Sequence, residues 1–173
     1  MQKNWLQPDW EPGLSITNVP IKHFIDLGIK VLVLDVDGTL LPRTENVVHN
    51  SVFSWVKEAR DNFSLHLLSN NPSRKRIESI SRNLNINFTY KAAKPTRGAL
   101  REVVNNFHLN PHNIAIIGDR LFTDILAGNR LGLYTVLVKP LASNGNICKS
   151  NRTQRFEQKI AGFLGAIYMC NYI

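Results

Sequence analysis

Lys30–Leu41 reads KVLVLDVDGTLL, and this stretch decides the fold. Val31 to Leu34 form a short apolar run that ends at two carboxylates, Asp35 and Asp37, with Gly38 and Thr39 close behind. An apolar run bounded by glycine predicts a strand buried in a parallel sheet. In open α/β sheets, ligands bind just beyond the carboxyl ends of the strands. The two aspartates therefore stand where chemistry is expected, and Gly38 lets the backbone turn sharply away. Where a strand ends, both carboxylates can turn toward one ligand. One can attack phosphorus and form an aspartyl-phosphate. The other can protonate the leaving oxygen and then deprotonate the attacking water. Two carboxylates repel a phosphate, so such a site needs a divalent cation, and oxygen ligands favour Mg2+. A plain acidic turn uses the same DxDG letters. The apolar strand directly before them favours the chemical reading.

The composition sets outer bounds. A chain of 173 residues suits one domain with a sizeable core, expected here over 1–173 with an arm at 1–13 and an amphipathic helix at 152–168. A charged content of 20% is ordinary for a soluble globular protein, but a net charge of +8 is not. The excess points to an anionic partner, namely a phosphorylated substrate, an anionic membrane surface or nucleic acid, or else to a solvated basic face. Cys148 and Cys170 fit no disulfide framework or metal spacing, which favours a reducing, cytoplasmic compartment. No apolar run reaches the roughly 20 residues that cross a bilayer. The first residues contain no apolar core of a signal peptide, so none is expected.

Working outward from the central strand, apolar runs and helical spacings alternate. Trp5, Pro8, Trp10 and Pro12 mark an extended arm whose tryptophans pack on the domain or lie at a membrane interface. Thr17 or Asn18 is expected to cap a short helix from Pro20 to Gly28, ahead of strand one at Ile29–Asp35. Ser51–Asp61 carries Val52, Trp55, Val56 and Ala59 on one side, with Asn50 as cap. Ser64–Ser69 reads as strand two, with His66 a core or half-buried histidine. Pro72–Leu84 reads as a helix whose polar surface comes from Arg74, Lys75, Arg76 and Arg82. A short strand near Asn87–Tyr90, a helix over Thr96–Phe107 and a strand over Asn113–Gly118 follow. A helix over Thr123–Leu131, stopped at Gly132, precedes a strand over Leu133–Val138. Arg152–Tyr168 places Phe156, Ile160, Phe163, Leu164 and Ile167 at helical spacing. Such alternation predicts a doubly wound α/β domain.

Three further strand ends carry polar residues. Ser69–Asn70–Asn71–Pro72 closes strand two and opens a helix. A hydroxyl and backbone N–H groups there form a phosphate grip, although a simple helix cap would look the same. Lys94–Pro95, in the context AAKP, sits between strand three and the next helix. A lysine there can neutralise an aspartyl nucleophile and a phosphoryl group. Lys91 is its close rival, and the proline after Lys94 favours Lys94. GDRLFTD, Gly118–Asp124, follows strand four. Asp119 emerges beside Asp35 and can complete a metal site. Asp124 can bind metal through water, orient Lys94, or serve as an ordinary acid at a helix start.

DVDGTL, SNN, KP and GDRLFTD, in this order and each at a strand end, resemble the four motifs of the haloacid dehalogenase (HAD) superfamily, subfamily IIIA. Within it the chain is similar to the phosphatidylglycerophosphate phosphatase-like group. GIK at Gly28–Lys30, SNN at Ser69–Asn71, KP at Lys94–Pro95 and the run Gly118–Leu141 carry the closer match. The resemblance departs at Gly38, where that group often has Asn. It implies a Rossmann-like, mainly parallel sheet of about five strands in the order 5-4-1-2-3, with helices on both faces. It implies Asp35 as nucleophile and Asp37 as general acid/base. Ser69, Asn70 and Lys94 would hold the phosphoryl group. Asp35, Asp119 and the Asp37 backbone carbonyl would bind Mg2+, with Asp124, Gly38 and Thr39 in support.

The short gaps after motif I and before Lys94 hold no cap domain, so the open site suits a bulky or surface-bound substrate. The expected activity is Mg2+-dependent hydrolysis of a phosphomonoester, phosphatidylglycerophosphate above all, at the periphery of an anionic membrane. A nucleotide, sugar phosphate or nucleic-acid end is the alternative substrate, although no recognised nucleic-acid-binding motif is present. A non-catalytic binding module fits poorly with the retention of Asp35, Asp37, Lys94 and Asp119. A homo-oligomer stays open.

Overall fold

The computed structural model describes residues 4–148 and 152–166. The expectations for Ile167, Tyr168 and Cys170 lie outside the described residues. Five strands form one sheet: β1 (Val31–Leu34), β2 (Ser64–Leu68), β3 (Asn87–Thr89), β4 (Ile114–Gly118) and β5 (Tyr134–Leu137). Their order is β3-β2-β1-β4-β5, and every pairing is parallel. This is the expected order read from the opposite edge. The central strand β1 is fully buried, and its alternate residues feed two cores. Leu32 and Leu34 join Phe24, Trp55, Ile77 and Ile80 on one face. Val31 and Val33 join Leu100, Val103 and Ala127 on the other. Burying each of these β1 side chains contributes about 1.5–3 kcal/mol.

Helices α1 (Ile21–Asp26), α2 (Asn50–Arg60) and α3 (Arg74–Leu84) supply the first core, and α4 (Gly98–Asn106) and α5 (Leu126–Asn129) supply the second. Neither residues 35–49 nor residues 90–97 contain a helix or strand, so no cap domain is inserted at either place. Trp10 packs on the domain, the first of the two uses expected of the arm's tryptophans, whereas Trp5 is exposed. The Trp10 ring stacks on His23 with centroids 3.7 Å apart, and the Trp10 backbone pairs with β5.

Several helix starts differ from expectation, and at α2 and α3 a neighbouring polar group takes the cap. Ser15, Thr17 and Asn18 bond to one another and close a 3-10 turn at Ile16–Asn18, leaving Pro20 at the N-cap of α1. His49, rather than Asn50, caps α2 by accepting from the Ser51 N–H. Asn71 accepts from the Ser73 N–H, and Ser73 in turn caps α3. Pro72 therefore lies in the loop and not at the first helical position. A π-helical turn, Leu121–Ile125, precedes a shorter α5 than the spacing predicts.

The amphipathic helix expected over 152–168 is present as α6 (Arg152–Phe163). The side at Phe156, Phe163 and Leu164 faces solvent, with exposures of 63%, 92% and 58%. The buried residues of α6 are Gln154, Glu157 and Ala161. The helix docks by a face on which Gln154 and Glu157 flank Ala161, and Ala161 joins an apolar cluster with Leu6, Leu121, Ile125 and Leu137.

Candidate active site

All four motifs converge at the carboxyl end of the sheet. β1 and β4 are neighbours, so Asp35 and Asp119 emerge side by side just past them. The Asp35 N–H still donates to the Ile117 carbonyl at 2.9 Å, which extends the ladder to the first aspartate. Beyond it the chain turns at Gly38, whose φ is +99°. A Cβ there would lie 2.4 Å from Asp119 Oδ2, so a side chain would displace that carboxylate. Thr39, fully buried, donates to Asp35 Oδ2 at 3.1 Å.

Lys94 reaches this cluster from beyond β3. Its buried ammonium lies 2.6 Å from Asp35 Oδ1, 2.7 Å from Asp124 Oδ1 and 2.7 Å from the Leu68 carbonyl. Asn70 fixes the lysine's backbone from both sides. Its Oδ1 accepts from the Lys94 N–H at 2.7 Å, and its Nδ2 donates to the Lys94 carbonyl at 2.9 Å. The Asn70 amide is thus committed to the lysine loop, so of the two expected routes to a phosphoryl oxygen, backbone or amide, the bonded amide favours the backbone. Ser69 is fully buried, accepts from the Asn71 N–H at 3.0 Å and donates to Asp37 at 3.4 Å.

Asp37 points away from the other aspartates. Its carboxylate meets Arg76 at 2.6 Å and accepts from the Asn71 amide at 3.2 Å. Arg76 also donates to the Glu45 carbonyl and to Asn46, tying down the loop after β1. The sequence places Arg76 on the polar surface of its helix. Instead, the guanidinium turns into the site, and no spacing signal separates it from Arg74, Lys75 and Arg82.

Carboxylate oxygens of Asp35, Asp119 and Asp124 all lie within 4.8 Å of one another. Asp119 Oδ1 is buried with no hydrogen-bond partner. Burial, and then the charges of Asp35 and Asp124, push the Asp119 carboxyl well above its usual range. Burial likewise lifts Asp124 to about 6, against the pull of Lys94. Burial alone would lower Lys94, but Asp124 and Asp35 overcome it and hold the ammonium charged. Three crowded carboxylates with an orphaned oxygen form an all-oxygen donor set that fits a hard divalent cation. Asp124 belongs to this trio, whereas the carboxylate of Asp37 does not.

Above the cluster opens a cleft of about 390 Å³ lined by Asp35, Asp37, Lys94, Asn70, Arg43 and Arg120. Arg120 is bound to Glu157 of α6, and Gln154 of α6 donates to Asp119. Arg43, Arg76, Gln154 and Glu157 are the residues that sequence reasoning missed.

Residues 11–141 match the family model described as mitochondrial PGP phosphatase. The chain is 34% identical over 154 residues to "Probable phosphatase YqeG" of Bacillus subtilis (strain 168), covering 88% of each. It is 27% identical over 183 residues to "Phosphatidylglycerophosphatase GEP4, mitochondrial" of Saccharomyces cerevisiae, covering 94% of this chain and 96% of that one. A HAD family hydrolase structure from Streptomyces avermitilis shares the fold, with a TM-score of 0.51 at 16% identity over 76% of this chain and 90% of that one. The match runs from the arm through β5 and takes in every strand end where the motifs converge, and by it the chain belongs to the PGP phosphatase family of the HAD superfamily.

Proposed function

We propose that the protein is a Mg2+-dependent phosphatase that converts phosphatidylglycerophosphate to phosphatidylglycerol through an aspartyl-phosphate. The observation that carries the chemistry is the Lys94 ammonium held between Asp35 and Asp124, beside the unpartnered oxygen of Asp119. In this reading Asp35 attacks phosphorus, a new P–O bond to its carboxylate forms, and the ester P–O bond breaks. Asp37 gives its proton to the departing glycerol oxygen. Asp37 then takes a proton from water, the water oxygen bonds to phosphorus, and the bond to Asp35 breaks to release phosphate. Ser69 and Lys94 hold the phosphoryl oxygens. Mg2+, bound by Asp35, Asp119, Asp124 and the Asp37 carbonyl, would neutralise the charge that gathers there.

Three observations support the lipid as substrate. The relative from yeast bears that activity in its name. The chain carries a net charge of +8, which favours an anionic surface. α6 turns Phe156, Phe163 and Leu164 outward. Among the described residues no helix is long and apolar enough to cross a membrane.

The test is phosphate release with Mg2+ from phosphatidylglycerophosphate in mixed micelles, run beside soluble phosphomonoesters and the Asp35→Asn protein. Lipid turnover that disappears in a folded Asp35→Asn variant is the expected result. Turnover of soluble esters alone would keep the mechanism and discard the lipid. Full activity without the Asp35 carboxylate would end the aspartyl-phosphate reading.

A further inference from the structure

We propose that α6 is a working part of the metal centre, with Gln154 as the positioning residue for Asp119. This rests on the divalent-cation reading above. The family match ends at Leu141, so α6 lies beyond it. Yet α6 touches three consecutive residues that follow β4. Gln154 Nε2 donates to Asp119 Oδ2 at 2.5 Å and to the Asp119 carbonyl at 3.3 Å. Glu157 accepts from the Arg120 guanidinium and, at 3.2 Å, from the Leu121 N–H.

The choice of face is the telling feature. A helix that docks only for stability buries its apolar stripe. α6 leaves Phe156 and Phe163 outside, with only Ala161 entering the apolar cluster of Leu6, Leu121, Ile125 and Leu137, and beside it buries an amide and a carboxylate. Burying such groups is unfavourable unless they are bonded, and both are bonded to the residues around Asp119. The chemistry of each suits a cation site. An amide donor orients one oxygen of Asp119 without bringing a positive charge that would compete with a metal. Asp119 Oδ1, buried and unpartnered, remains for the cation. Glu157 neutralises Arg120, whose charge acts on Asp119 and would otherwise oppose a metal there. Gln154 thus sets geometry, and Glu157 sets charge.

The experiment is isothermal titration of Mg2+ into the full-length protein without substrate, together with the shift in Tm that Mg2+ produces. Parent, Gln154→Ala and the exposed control Thr153→Ala are compared. Loss of a group that orients a metal ligand weakens metal binding by about 10- to 100-fold. We expect that rise in Kd for Gln154→Ala and a correspondingly smaller Tm shift. The metal-free Tm separates this role from simple support of the fold, which would lower that Tm and leave the Kd in place. Should Gln154→Ala not fold, Glu157→Gln keeps the shape of α6 while freeing Arg120, and the same direction of change is expected. A parental Kd in the folded variant would overturn the inference while leaving the cation reading intact. A parent that binds no Mg2+ would overturn both.

Discussion

The ammonium of Lys94 joins three strand ends, since it meets Asp35 past β1, Asp124 past β4 and the last carbonyl of β2. Charge accounting around it singles out a second cation. Lys94 answers Asp35 and Asp124, Arg76 answers Asp37, and Arg120 answers Glu157. Arg43, exposed on the cleft wall, makes no hydrogen bond or ion pair among the described residues. Phosphatidylglycerophosphate carries a phosphodiester besides the phosphate that leaves, and Arg43 is the cation open to it. A charge-assisted bond of this kind contributes about 1.5–3 kcal/mol. Arg43→Ala is therefore expected to raise KM for the diester-bearing substrate on the order of tenfold or more, with little change for a simple phosphomonoester. Paired kcat/KM measurements on the two substrates check it, and equal losses on both would remove the subsite. Asp35, Lys94 and Asp119 were legible in the sequence because each is a polar residue released by an apolar strand or its loop. Arg76 was not, because only the tertiary fold turns one of four similar cations on its helix onto Asp37.

The strands were the readable elements, because continuous apolar runs leave little choice of burial. Helix ends were less so. Several Ser, Asn and His side chains compete for each cap, and short-range bonds such as Asn71 to Ser73 settle the contest. For α6, hydrophobic spacing identifies an apolar side but not whether that side faces the protein. β2 offers a prediction at this scale. His66, half-buried, pairs with Thr89 of β3 at 2.9 Å, and burial lowers its pKa from 6.5 to about 4. The unfolded chain therefore binds the proton first as pH falls. The stability contributed by neutral His66 is complete above pH 6.5 and is lost as pH drops toward about 4. His66→Gln cannot follow that course. The stability gap between parent and variant, from urea unfolding at a series of pH values, should narrow across that window. A gap that stays constant would mean that His66 is as solvated in the fold as in the unfolded chain.

Over the whole molecule, the catalytic cleft, the docked face of α6 and its aromatic outer side lie in sequence across one end of the sheet. Asp119 and Arg120 join the first two, and α6 itself joins the second to the third. Two forces can bring that end to a lipid surface, and they respond differently to salt. Attraction of the +8 chain to anionic headgroups amounts to about 1 kcal/mol per basic residue near the surface and is screened over about 8 Å at physiological ionic strength. Insertion of apolar side chains is insensitive to salt and contributes about 1.5–3 kcal/mol for each one fully buried. Flotation with anionic and neutral vesicles across a salt series separates the two. The parent should prefer anionic vesicles, with binding that falls as salt rises toward a residual level. Phe163→Ser with Leu164→Ser should remove that residual level and keep the salt-sensitive part, because neither residue carries charge. A double variant that floats like the parent in high salt would show that α6 does not enter the interface. Removal of the residual level would make the same helix the link between the lipid surface and Asp119, and vesicle-dependent tightening of Mg2+ binding would follow by linkage.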